Sequence, residues 1–413
     1  MADGSALMQK GGSMRTVASV TLVIFLVSCT LFAAEGQKLS YRTSPDMKRG
    51  DVQVYWMSQP APAEPKDMPL PKNGGFDPVY AKWQTPMVKE GSVWMAAARS
   101  KKGGAYDLLY VDSNCDGRMV DETAAKPVRT EGNYPVFGPI AIRFPGDNEP
   151  ITYDVDVMLT SVSVTTLFSG GGAVAQQPRF EVTSGCWHEG EIEVGGKTVG
   201  CKLVDVNANG AFDDTSLAIY GGDYVFIKEA DKPWDYFSVG KYVCVGGKLC
   251  NEEVARDGSW VKITEAGAVP SGTVKIPDTL SRFEVIGTNG DVYFLSPGSH
   301  VSVPVGTWRI GIWCIERTDA KGTKWRMSGG FFPDKANLTL VEGQEITLPI
   351  GEPVKAVLSA SQSGGQYTIT ESITGGSGES IAFAQDDKAL DLPSLRIRNA
   401  DGSYDKVFKP EAG

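Results

Sequence analysis

The sequence predicts an all-β chain: two or three β-sandwich or open-barrel domains in tandem, following an N-terminal signal or anchor segment. Three observations carry that prediction. Short runs such as YDLLYVD, RFEVTS, DYVFI and YVCV alternate or are β-branched and aromatic, as half-buried strands require. Gly195-Gly196, Gly246-Gly247, Asn289-Gly290 and Asp401-Gly402 stand between such runs as hairpin turn signals. The chain holds 48 Gly and 24 Pro and lacks the long amphipathic Leu/Ala/Glu/Lys stretches of helical proteins.

Residues 1–35 read as an export segment. Lys10 and Arg15 precede an uncharged run from Val17 to Ala34, the charged and apolar halves of a secretory signal. Within it, Leu26-Val27-Ser28-Cys29 resembles the lipobox of bacterial lipoproteins, which implies acylation at Cys29 and lipid anchoring. Two other fates compete: cleavage near Ala33 or Ala34, and retention as an anchor, since 18 apolar residues only just reach spanning length. Met14 competes with Met1 as the start. The localisation expected is export to the outer membrane, periplasm or cell surface, with membrane contact only through that segment.

Residues 36–90 hold one alternating run, DVQVYWMS, and then five prolines from Pro60 to Pro71 that impose an extended segment. Residues 91–270 are a series of short strands and hairpins, as in a sandwich or open barrel. Residues 271–350 continue with RFEVIG, DVYFL and a long run through Val303-Pro304-Val305-Gly306-Thr307-Trp308-Arg309-Ile310. That stretch resembles the LPAGxYxV strand of prealbumin-like and carboxypeptidase-regulatory-like sandwiches, with Trp308 in place of the usual Tyr. The resemblance implies a non-catalytic Ig-like sandwich and carries over no active-site residue. Residues 351–413 form a C-terminal β region, short for a core of its own.

Two acidic loops, each closing a hydrophobic run, are the candidate metal sites. In the first, Asp112, Asn114 and Asp116 alternate ahead of Gly117, the Arg118 carbonyl follows, and Asp121 and Glu122 come later. In the second, Asp205, Asn207 and Asn209 precede Gly210, then the Ala211 carbonyl, Asp213 and Asp214. Oxygen donors at alternate positions with Gly at the sixth suit a chain wrapping a hard cation, so structural calcium is the expected cofactor. Both loops depart from the EF-hand, with Thr123 and Ser216 where it carries its closing Glu. They resemble the D-x-N-x-D-G-x-x-D loops of dockerin-type and thrombospondin-type-3 repeats. The competing reading is plain turns, because Asp-Gly and Asn-Gly favour type I′ geometry without metal. With four carboxylates against three, loop one is expected to bind more tightly, and affinity is expected on the order of 0.1 to 1 mM.

A net charge of -10 without a clustered basic face argues against nucleic acid. Beyond Cys29 there remain Cys115, Cys186, Cys201, Cys244, Cys250 and Cys314, an even number that admits either disulfides or buried thiols. His188 and His300 are the only histidines, and no H-E-x-x-H or G-x-S-x-G motif occurs. Trp94, Trp260, Trp308, Trp313 and Trp325 are expected in the core, and Trp187 and Trp234 in exposed turns. The function expected is a non-catalytic binding or assembly role at the cell envelope, with an extracellular protein, a glycan or a second copy as partner. The alternative is a carbohydrate-active hydrolase or its carbohydrate-binding subunit, which needs little more than two well-placed carboxylates.

Overall fold

A computed structural model of the chain describes residues 35–43, 57–60, 68–147, 149–164, 175–218, 221–332, 337–390 and 394–409. The chain is all-β, with strands and turns and no helix among these residues. The chain divides into two units, Met1–Glu35 and Gly36–Gly413. The first, with Met14 and the lipobox Cys29, lies outside the described residues apart from Glu35, as does most of DVQVYWMS.

A 13-stranded sheet runs through the second unit. Its main path begins at Gln37–Lys38 and passes through Trp260–Glu265, Lys248–Val254, Tyr242–Val245, Gly290–Leu295 and Arg282–Gly287. It continues through Gly306–Thr318, Lys324–Gly330, Ser380–Gln385 and Gln366–Thr374 to Lys355–Ser363. Two five-stranded sheets accompany it, one centred on Ile151–Val164 and one on Lys197–Val204, together with smaller sheets including Phe76–Gln84, Ser92–Arg99 and Leu108–Val111.

Alternation along these strands builds two large cores. One gathers Trp83, Phe137, Phe144, Tyr153, Phe180 and Phe212 with buried aliphatic residues between Leu39 and Ile263. The other surrounds Phe283, Trp308 and Trp313. Burying such aromatics at about 25 cal/mol per Å² of apolar area is the main favourable contribution to each core.

The Gly-Gly turns form as expected. Gly195 and Gly196 have φ of 58° and 77°, Gly246 and Gly247 of 60° and 75°, the left-handed pair that a type I′ hairpin needs. Asn289-Gly290 behaves differently: Gly287 pairs with Gly290, so the turn residues are Thr288 and Asn289. Gly290 serves the neighbouring strand instead, because a Cβ there would lie 1.9 Å from the Tyr242 carbonyl oxygen. The run from Val303 to Ile310 is broken as well. His300–Pro304 belongs to a three-stranded sheet and Gly306–Thr318 to the large one, with Gly306 (φ 147°) at the corner.

Trp308 and Trp313 are fully buried, whereas Trp325 is 38% exposed with its indole N–H donating to Asp319. Trp187, expected in an exposed turn, is buried in the strand Cys186–Val194 against Val204, Val206 and Phe226. All six cysteines of the described residues are free thiols, five of them buried.

Candidate metal centre

The acidic loops leave the ends of the buried strand Leu108–Val111 and the half-buried strand Lys197–Val204, and both brace against the end of Tyr134–Phe144. The Arg143 amide donates to the Ser113 carbonyl of the first loop. Gly210 of the second lies on Phe144, where a Cβ would come within 2.9 Å of the ring.

In the first loop the buried Asp112 carboxylate accepts from the Asp116 amide at 3.1 Å and from the Gly117 amide at 3.0 Å. Asn114 Oδ1 also accepts from the Asp116 amide, and Asp116 Oδ1 accepts from the Arg118 amide. Cys115 and Gly117 take positive φ, which folds the chain back over Asp112. Burial pushes the Asp112 carboxyl up to about 6, against the opposing pull of the Gly117 N–H bond. Glu122 is turned toward Ser113, accepting from its amide at 2.7 Å and its hydroxyl at 2.9 Å. Asp121 is exposed and, with Asn114 and Glu122, lines a cavity of about 330 Å³. The Arg118 side chain is 64% exposed.

The second loop sits deeper. Asp205 is fully buried; Oδ2 accepts from the Tyr153 hydroxyl and the Gly210 amide, both at 2.7 Å, and Oδ1 from the Asn209 amide at 3.3 Å. Trp83, stacked on Tyr153, donates its indole N–H to the Ala208 carbonyl at 2.7 Å, tying the loop to the aromatic core. Asn209 Oδ1 accepts from the Ala211 amide. The side-chain amides of Asn207 and Asn209 both donate to Asp214 Oδ2. Asp213 is exposed, and its carboxyl is raised by partial burial against the pull of Arg256.

A residue outside the loop completes this site. Asp223 is fully buried, accepting from the Val206 amide at 3.2 Å and the Asp214 amide at 2.9 Å. Val204 pairs with Tyr224, and just beyond this last pair of the two strands Asp223 lies near enough to Asp205 to feel its charge. Burial raises both carboxyls, and each feels the charge of other loop acids. Neither is ion-paired with Lys or Arg among the described residues. Asn207 Oδ1 is buried without a hydrogen-bond partner.

The sequence-expected donors Asp205, Asn207, Asn209 and Asp214 thus come together, and Asp213 turns outward. Asp223 was legible only through strand pairing: aligning CKLV with YVFI would have found it. The set suits a hard cation in donor type: two buried carboxylates, hydrogen-bonded but paired with no Lys or Arg among the described residues, and one amide oxygen without a partner. Among the described residues no group of three or more His, Cys, Asp or Glu side chains is arranged as a metal site.

His188 and Cys186 share a strand but form no nucleophile and base pair. His188 is buried edge-to-face against Tyr41 and Phe212, and burial pushes its pKa down to about 4. No family model, curated protein or solved structure matches the chain.

Proposed function

We propose that the protein is an exported, non-catalytic binding or assembly module of the cell envelope whose acidic loops are stiffened by calcium. The observation that supports the calcium reading is the pair of fully buried carboxylates Asp205 and Asp223, close enough to interact and bordered by Asp214. Like charges with no cationic side chain to pair with are costly in a dry site, and a divalent cation relieves that repulsion where protons alone would neutralise it.

With Asp213 turned outward, the second loop keeps three inward carboxylates, Asp205, Asp214 and Asp223, of which Asp205 and Asp223 are fully buried. Loop two therefore becomes the tighter site, the reverse of the order that counting carboxylates within each loop suggests. The dockerin-like and thrombospondin-type-3-like spacing supports the same role, in which calcium holds a loop against a β framework. Export rests on the N-terminal segment and Cys29. An extracellular protein or glycan is the partner that suits this setting.

Equilibrium dialysis of the full chain against 1 mM radioactive calcium tests the reading. One to two ions retained per chain, falling by about one in Asp223→Asn, is the expected result. No retained calcium overturns it and leaves the loops as hydrogen-bonded turns.

A further inference from the structure

Lys355–Ser363 ends the large sheet, paired with Gln366–Thr374 on one side and, among the described residues, with no strand on the other. All nine of its residues are exposed, Val357 at 49% and Leu358 at 60%. The hairpin that these two strands form projects from the sheet, since only Thr374 pairs with the neighbouring strand, opposite Ser380. A two-stranded ribbon is marginal in water, and further strands are what stabilise one.

Other edges are blunted. Among the described residues every other strand that ends a sheet has five residues or fewer, except Phe76–Gln84. That strand is equally long but carries Pro78 and a bulge between Phe76 and Val79, two devices that block further pairing. Lys355–Ser363 has neither. Its register runs through nine pairs without a shift, and its one charge is Lys355 at the first position.

We propose that this strand is a homodimer interface: the Lys355–Ser363 strands of two copies pair antiparallel about a two-fold axis at Ser359, joining two hairpins into a four-stranded sheet. Opposed residues must share a face, so the axis falls on a residue, and full overlap of nine places it on the fifth. Ser359 then faces its own counterpart, Leu358 faces Ala360 and Val357 faces Ser361. Each Lys355 lies opposite Ser363, and the two ammonium groups stand about 27 Å apart along the pair, whereas parallel strands in register would stack them. The geometry also closes the assembly. Head-to-tail growth would need a matching edge at the other end of the sheet, and Gln37–Lys38 offers two residues. This gives the assembly role proposed above its partner, and it rests on neither calcium nor export.

Cysteine cross-linking of the full chain tests the register. Under mild oxidation Ser359→Cys should form a disulfide-linked dimer, because directly opposed residues of an antiparallel pair have Cα atoms about 4.5–5.5 Å apart, within disulfide reach. Ser361→Cys, whose two copies would lie about 14 Å apart, should give at least tenfold less. The unsubstituted chain, whose six described cysteines are free thiols, sets the background. Sedimentation velocity should show a concentration-dependent dimer in the micromolar range, and Ser359→Lys, which sets two ammonium groups at the axis, should weaken it at least tenfold with an unchanged circular dichroism spectrum. A monomer at every concentration, equal cross-linking of Ser359→Cys and Ser361→Cys, a dimer indifferent to Ser359→Lys, or open-ended oligomers overturn the proposal. Each readout is the same in calcium and in EDTA if the proposal holds, so the dimer and the calcium reading fail separately.

Discussion

The hydroxyl of Tyr153 donates to Oδ2 of Asp205 at 2.7 Å, and neither side chain is more than 1% exposed. Through this bond the first residue of the second acidic loop is held by the central aromatic of the larger core. Tyr153→Phe keeps the ring packing and removes only the donor. A loss of about 1–3 kcal/mol is expected, the usual consequence of a buried carboxylate losing a hydrogen-bond partner. Urea unfolding measures it, and the loss should persist in EDTA because the hydroxyl supports the loop with or without a cation.

Gly290 and Gly247 separate two uses of glycine. At Gly290, φ is 105° and an added Cβ would lie 1.9 Å from the Tyr242 carbonyl oxygen, so the adjoining strand must move. Gly290→Ala is expected to cost about 4 kcal/mol or more. Gly247, at φ 75° with nothing within 4 Å, suffers only the left-handed penalty of about 1–2 kcal/mol in Gly247→Ala. Thermal unfolding of the two variants decides whether close approach or turn geometry dominates.

His188 sets a pH dependence. Burial lowers its pKa to about 4, against an ordinary value near 6.5, and its Nδ1 has no partner. Between those values the unfolded chain binds the proton and the folded chain does not, so this residue's contribution to stability is lost as pH falls through that window. The full effect approaches about 3 kcal/mol. Asp257, which favours the charged form, opposes part of it. His188→Phe should flatten the decline in melting temperature between pH 6.5 and 4, and an unchanged decline would assign it to other groups.

Cys29→Ala tests the export reading separately. If the lipobox is acylated, the substitution should move the mature protein from the membrane fraction to the soluble one. An unchanged distribution would remove lipid anchoring from the account.

Much of the fold was legible because it is local. Gly195-Gly196 and Gly246-Gly247 announce type I′ turns, and alternation marks most strands around them. What stayed hidden depends on pairing between distant strands. Gly290 reads as half of an Asn-Gly turn until the parallel neighbour Tyr242–Val245 is in place. Trp187 reads as a turn residue until Cys186–Val194 pairs with Ser40–Thr43 and Lys197–Val204. Asp223 lies 18 residues from Asp205 in sequence but near it in space, so a motif read within one loop has no place for it.

The measurement that bears most directly on the calcium reading is the melting curve of the full chain in 10 mM calcium and in EDTA. With affinity on the order of 0.1 to 1 mM, binding only to the folded state adds about 1.4–2.7 kcal/mol. The melting temperature should therefore rise by a few degrees, and Asp223→Asn should abolish most of that rise while Asp121→Ala leaves it nearly intact. Superimposable curves in calcium and EDTA would contradict the account, and a rise lost in Asp121→Ala but kept in Asp223→Asn would place the ion in the wrong loop.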